Sequence, residues 1–142
     1  MPTFRHGKLT VFKITDAAGT LRDISNTLRT VNFPNDADTA ETSAFGTFDK
    51  TFVVGLVGHS ISVDGMFDAT VDGYLNGILA LDIGGTYTGV FQYGPEGATS
   101  GRVRYTGVSL LTSYGRTSGI GDMAGVSANF QITGATTRDT WP

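Results

Sequence analysis

Between Thr51 and Phe67 the chain reads TFVVGLVGHSISVDGMF, and this stretch decides the fold. Ile61 and Val63 alternate with Ser60, Ser62 and Asp64, so an extended backbone turns an apolar face one way and a polar face the other. Phe52, Val54 and Leu56 alternate before Gly55 and Gly58 interrupt, which predicts either one long strand or two strands with a bulge at the glycines. A sheet packed on one side only is the consequence.

The rest of the chain repeats the pattern. Arg102 to Thr106 and Val126 to Thr133 alternate cleanly within longer predicted strands, Arg102 to Thr112 and Gly125 to Gly134. Lys8 to Thr15, Leu21 to Ile24 and Thr86 to Tyr93 carry enough β-branched and aromatic residues for strands. Asp16 to Gly19 joins the first two as a hairpin turn, and Gly94 to Gly97 reads as another turn. Ser25 to Val31 fits either a short helical turn capped by Ser25 or a strand. One helix is expected, from about Ala69 to Asp82, where Val71, Leu75, Ile78, Leu79 and Leu81 recur at helical spacing. Asp68 suits its N-cap, Asp72 favours the positive end of its dipole, and Gly84-Gly85 is a stop signal. Asn32 to Lys50 is polar and aperiodic and reads as a long loop, in which Phe33, Phe45 and Phe48 gain by docking on a partner. Ser113 to Met123, broken by Gly and Ser, reads as a mobile loop. The expected fold is mainly β: a single domain forming a β-sandwich or partly closed β-barrel of seven or eight strands with one flanking α-helix.

Composition narrows function. The 142 residues contain no cysteine, which excludes disulfides, thiolate metal sites and cysteine nucleophiles. Ten Lys and Arg against 13 Asp and Glu give a net charge of −3 without a basic run, unlike a surface that grips phosphates. The first residues lack the pattern of a secretory signal, and no apolar stretch approaches the roughly 18–20 residues of a membrane span, so a soluble protein made in a cytoplasm is expected. Only 16% of residues are charged, while 20 are glycine. Weakly charged faces of this kind suit coverage by a neighbouring subunit, and equally an ordinary β protein with Gly-rich turns.

No enzyme site survives inspection, so neither catalytic residues nor cofactor ligands are assigned. His6 and His59 lack nucleophile or metal partners in sequence, and His59, between Gly58 and Ser60 at a strand break, reads as a solvated or hydrogen-bonded turn residue. Asp36, Asp38 and Glu41 have the chemistry of a hard-cation site, but their spacing does not continue into a calcium loop, and a solvated loop or a subunit contact accounts for them better. Asp64 and Asp68 sit close enough for acid–base work, yet Asp68 is better used as a helix cap. Arg102 and Arg104 share a strand face, suited to a salt bridge between subunits or to a ligand. Arg116 and Arg138 lie nearby without interleaved aromatics that would stack bases.

The run DADTAETSAFGTFDKTFVVGLVGHSISVDGMFD (Asp36 to Asp68), the helix after it, YTGVFQYGPEGATSGRVRYTG (Tyr87 to Gly107) and VSANFQITGATTR (Val126 to Arg138) together resemble the major tail, or tail tube, proteins of long-tailed bacteriophages, and are similar also to tube proteins of gene transfer agents. The resemblance implies a structural virion subunit that packs side by side into rings, most often hexameric, which stack into a tube around a lumen. It implies self-association, contacts with other tail proteins such as the tape measure and the tail terminator, and transient, non-specific passage of DNA. On this reading the protein is made in the bacterial host cytoplasm and resides in the virion tail. The segment Pro34 to Lys50, with Asp36, Asp38, Glu41, Phe45 and Phe48, becomes the subunit-contact loop. Ser60, Ser62 and Asp64, or else Arg104 and Thr106, become the lumen face. Two other readings stand beside it: a capsid decoration or head–tail connector protein, and a carbohydrate-binding sandwich, against which the position of the only tryptophan, Trp141, counts.

Overall fold

The computed structural model describes residues 4–46, 48–83 and 89–142. Gly7–Leu9 is a 3-10 turn and not the start of the strand expected from Lys8, and β1 (Val11–Thr15) and β2 (Leu21–Asp23) then form the expected hairpin. Its turn is closed by Asp16, whose carboxylate accepts the N–H groups of Ala18 and Thr20 at 3.0 and 2.9 Å and pairs with Arg22 at 2.8 Å. A second 3-10 turn (Ser25–Thr27) leads into β3 (Leu28–Asn32), so both readings of that segment hold, one after the other. Next come β4 (Asn35–Glu41), β5 (Phe52–Met66), the helix α1 (Ala69–Ile83), β6 (Val90–Gly94), β7 (Val103–Thr117) and β8 (Gly125–Thr140). All eight strands join one antiparallel sheet in the order β2-β1-β6-β7-β8-β5-β3, with β4 also paired to β5. The sheet curls into a half-barrel carrying one helix, the mainly β fold expected.

One core fills the curl. Phe12 and Ile14 of β1, Ile61 and Val63 of β5, Phe91 of β6, Leu111 of β7 and Ala128, Phe130 and Ile132 of β8 all point inward. Val71, Leu75 and Ile78 of α1 close it, the face that their spacing predicts. Side chains from Ala80 onward in the helix, including Leu81, lie outside the described residues, as do the Gly84-Gly85 stop and the expected start of a strand at Thr86. Asp68 caps the helix: its carboxylate accepts the N–H of Val71 at 3.1 Å.

Three further expectations need correction. Asn32 to Lys50 is not one long loop, because Asn35–Glu41 is a strand paired with Phe52–His59. Every residue of β4 is exposed, so no apolar alternation marks it in the sequence. Ser113–Thr117 likewise belongs to β7 and not to the mobile loop. Gly115 and Ser113 sit on its open face, while Tyr114 turns toward the helix. Finally, β5 runs unbroken through His59, whose Nδ1 meets the Asn35 side chain, so His59 is a strand residue and not a turn residue. The bulge foreseen at the glycines is present, since three steps of β5, Val54 to Val57, oppose two steps of β4, Ala37 to Thr39.

Gly65 marks where β3 crosses closest to β5. A Cβ there would stand 2.2 Å from the carbonyl oxygen of Thr27 and 2.8 Å from the Cα of Leu28, both backbone atoms with little freedom to retreat. Gly65→Ala is expected to destabilise the chain by about 1–3 kcal/mol, the usual range for overpacking, read by urea denaturation. An unchanged midpoint would mean that β3 moves aside freely.

Candidate assembly surfaces

Because side chains alternate along strands, the residues between the core positions form a second, outward face. On β5 these are Ser60, Ser62 and Asp64, and the ladder sets them opposite Gln131, Asn129 and Ser127 of β8. Asn129 Nδ2 donates to Ser113 Oγ of β7 at 3.4 Å, and Thr30 and Asn32 of β3 continue the row on the other side through their pairing with Asp64 and Ser62. The sheet therefore assembles a continuous band of hydroxyls and amides with Asp64 as the charge on its β5–β8 portion. Sequence reasoning found the β5 members. Ser127, Asn129 and Gln131 were visible only as alternating polar positions, because the register that sets them beside β5 is a long-range property.

The second surface is an arm. The first half of β5 leaves the body and pairs only with β4, so nothing covers either side of this two-stranded hairpin. Its apolar residues face water: Val54 is 70% exposed and Leu56 83%, with Phe52, Val53 and Val57 above half. Phe45 and Phe48 at the tip are fully exposed. Strand alternation puts Asp36 and Asp38 on one side of β4 and Glu41 on the other. The arm thus unites Asp36, Asp38, Glu41, Phe45 and Phe48 in one projection, and adds the β5 residues, which in sequence were indistinguishable from a core strand.

Arg102, Arg104 and Arg116 have side-chain partners within the chain. Arg104 forms a two-pronged pair with Asp139 at 2.9 and 2.7 Å, and its guanidinium also lies over the Trp141 ring, 5.2 Å from the centroid. Arg102 donates to the Glu96 carbonyl at 2.8 Å. Thr106 of the alternative lumen pair stands opposite Thr137. Trp141, covered by Lys13 and Arg104, is only 7% exposed and offers no sugar-stacking platform. Among the described residues no three His, Asp or Glu side chains come together as a metal site. No helix among them is long and apolar enough to cross a membrane.

Asp72 ties the helix to β7. It accepts the Tyr114 hydroxyl at 2.7 Å and Arg116 Nε at 2.6 Å, and these bonds, Tyr114's first, hold its carboxyl below the ordinary value. Burial, and then the same hydrogen bond, pushes the Tyr114 phenol up to about 12. A carboxyl depressed in the folded state stabilises it above the unfolded value and loses that contribution as pH falls. Asp72→Asn should therefore be less stable at neutral pH, and its stability should fall less steeply than the wild type's below about pH 4. Parallel acid-unfolding curves would show that the bond contributes nothing to folding.

No protein-family model matches the chain, and no curated protein sequence does. Solved structures do match in fold. A protein in the tail of an empty gene transfer agent particle, reconstructed with C6 symmetry, aligns over 96% of this chain and 100% of its own with a TM-score of 0.75 at 17% identity. A protein of the native gene transfer agent virion aligns over the same shares with a TM-score of 0.74 at 20% identity. The SPP1 tail tube protein aligns over 96% of this chain and 79% of its own, with a TM-score of 0.69 at 12% identity. The chain has the tail-tube-like fold, a mainly β, curled half-barrel sheet with one helix.

Proposed function

We propose that the protein is the structural subunit of a phage-type tail tube, assembling into hexameric rings that stack around a channel for DNA. The observation that carries this reading is the arm, an apolar hairpin with no cover of its own on a body whose fold matches tail proteins from end to end. Exposed apolar surface of this extent is costly in water and is relieved when another subunit buries it. The six-fold symmetry of the gene transfer agent tail supports the ring size. The band around Ser60, Ser62 and Asp64 suits a lumen wall: hydroxyls and amides stay wet, and a carboxylate repels phosphate, so DNA passes without being held. The tape measure and tail terminator are the further partners of such a tube, and synthesis in the host cytoplasm precedes assembly into the virion tail. The role is architectural and not enzymatic.

Sedimentation velocity over a concentration series tests the reading. Monomer giving way to rings and then to much heavier polymers is the expected result. A monomer at every concentration, or a closed trimer, would favour a capsid decoration or connector protein instead.

A further inference from the structure

The open side of the half-barrel holds a groove of about 460 Å³ between the N-terminal segment, the second 3-10 turn and β3. Its rim carries His6, Lys8 and Arg29, its floor Phe12, Leu28 and Val31, and no carboxylate lines it. The arm has the opposite character. From Asn35 to His59 it carries Asp36, Asp38, Glu41 and Asp49 against the single cation Lys50, together with its exposed apolar residues. The two features also lie toward opposite ends of the subunit. β5 is 15 residues long, about 45–50 Å when extended; the arm occupies its Phe52 end, and β3 pairs beside Gly65 near the other.

We infer that the acidic, apolar arm of one copy docks in the basic-rimmed groove of a second copy displaced along the β5 direction. This rests on the tube reading and specifies which surface receives the arm. Such a contact joins two different patches, so it does not close on a pair of subunits and repeats from one to the next, as an axial stack requires. Unlike charges at the rim select the register, while Phe45, Phe48 and Leu56 supply the buried area. Leu28 and Val31 are only partly covered in the isolated chain, and the arm's apolar faces are open to water, so each answers the other.

Charge exchange tests the pairing. Lys8→Glu with Arg29→Glu should raise the concentration needed for assembly by at least about tenfold, as should Asp36→Lys with Asp38→Lys, each leaving the monomer's circular dichroism unchanged. Combining all four should restore assembly to near the wild-type concentration. Because the chain has no cysteine, Gly7→Cys, at a groove-lining position where an added side chain meets open space, with Thr42→Cys provides a second readout: oxidation of assembled protein should yield ladders of disulfide-linked multimers. Wild-type tubes with indifferent charge variants, or a four-fold variant no better than either pair, would overturn the docking while leaving the tube reading intact. Wild-type protein that never assembles would overturn both.

Discussion

Phe45→Asp combined with Leu56→Asp should abolish assembly and leave the single chain folded. Both side chains are open to water in the isolated subunit, at 109% and 83% exposure, so nothing in the monomer is lost by replacing them. In an assembly each would be buried, and full burial of a Phe or Leu side chain contributes about 1.5–3 kcal/mol. Losing two per contact amounts to roughly 3–6 kcal/mol, a factor of at least about 100 in the concentration at which polymer forms, before the cost of burying two carboxylates. Pelleting assays would read the loss, and thermal melting of the monomer would serve as the control. A melting temperature lowered along with assembly would mean that the arm packs on its own body, contrary to its exposure.

Phe130→Ala has the opposite signature: a large loss of stability from a residue far from any open surface. Phe130 is 1% exposed at the centre of the sheet, level with Ile61 of β5 on one side and Leu111 of β7 on the other. Its ring also lies 5.8 Å from that of Phe12 across the curl. Truncating such a residue leaves a cavity bordered by three strands, with an expected cost of about 3–5 kcal/mol. Domains are commonly stable by only about 5–15 kcal/mol, so the variant should unfold at markedly lower urea. A loss below about 1 kcal/mol would mean that the core collapses around the gap, which a sheet anchored on both sides by ladders resists.

Phe130 and the arm also show how far the sequence can be read. Phe130 stands in a run of clean alternation, where a core beneath the sheet writes period two into the chain, and the helix face of Val71, Leu75 and Ile78 was equally legible. The arm was not, because an element packed on nothing within its own chain has no inside face to encode. β4 consequently reads as a polar loop, and Val53, Val54, Leu56 and Val57 read as ordinary core. Ser113 to Thr117 reads as a loop for a related reason: its Gly and Ser face outward, and only Tyr114 and Arg116 reach the helix. For the outward polar band proposed as a lumen wall, Ser60, Ser62 and Asp64 are recognisable in sequence as a polar face, whereas its continuation through Asn129 and Gln131 depends on register. The contribution of Arg104 was obscured too, since its partner Asp139 lies 35 residues away across the ladder.

Electron microscopy of the purified protein, after concentration above its assembly point, tests the tube reading most directly. Hollow tubes of stacked, six-fold rings are the expected image, with the arm bridging successive rings. Particles that remain monomers or discrete closed oligomers at every concentration would contradict it.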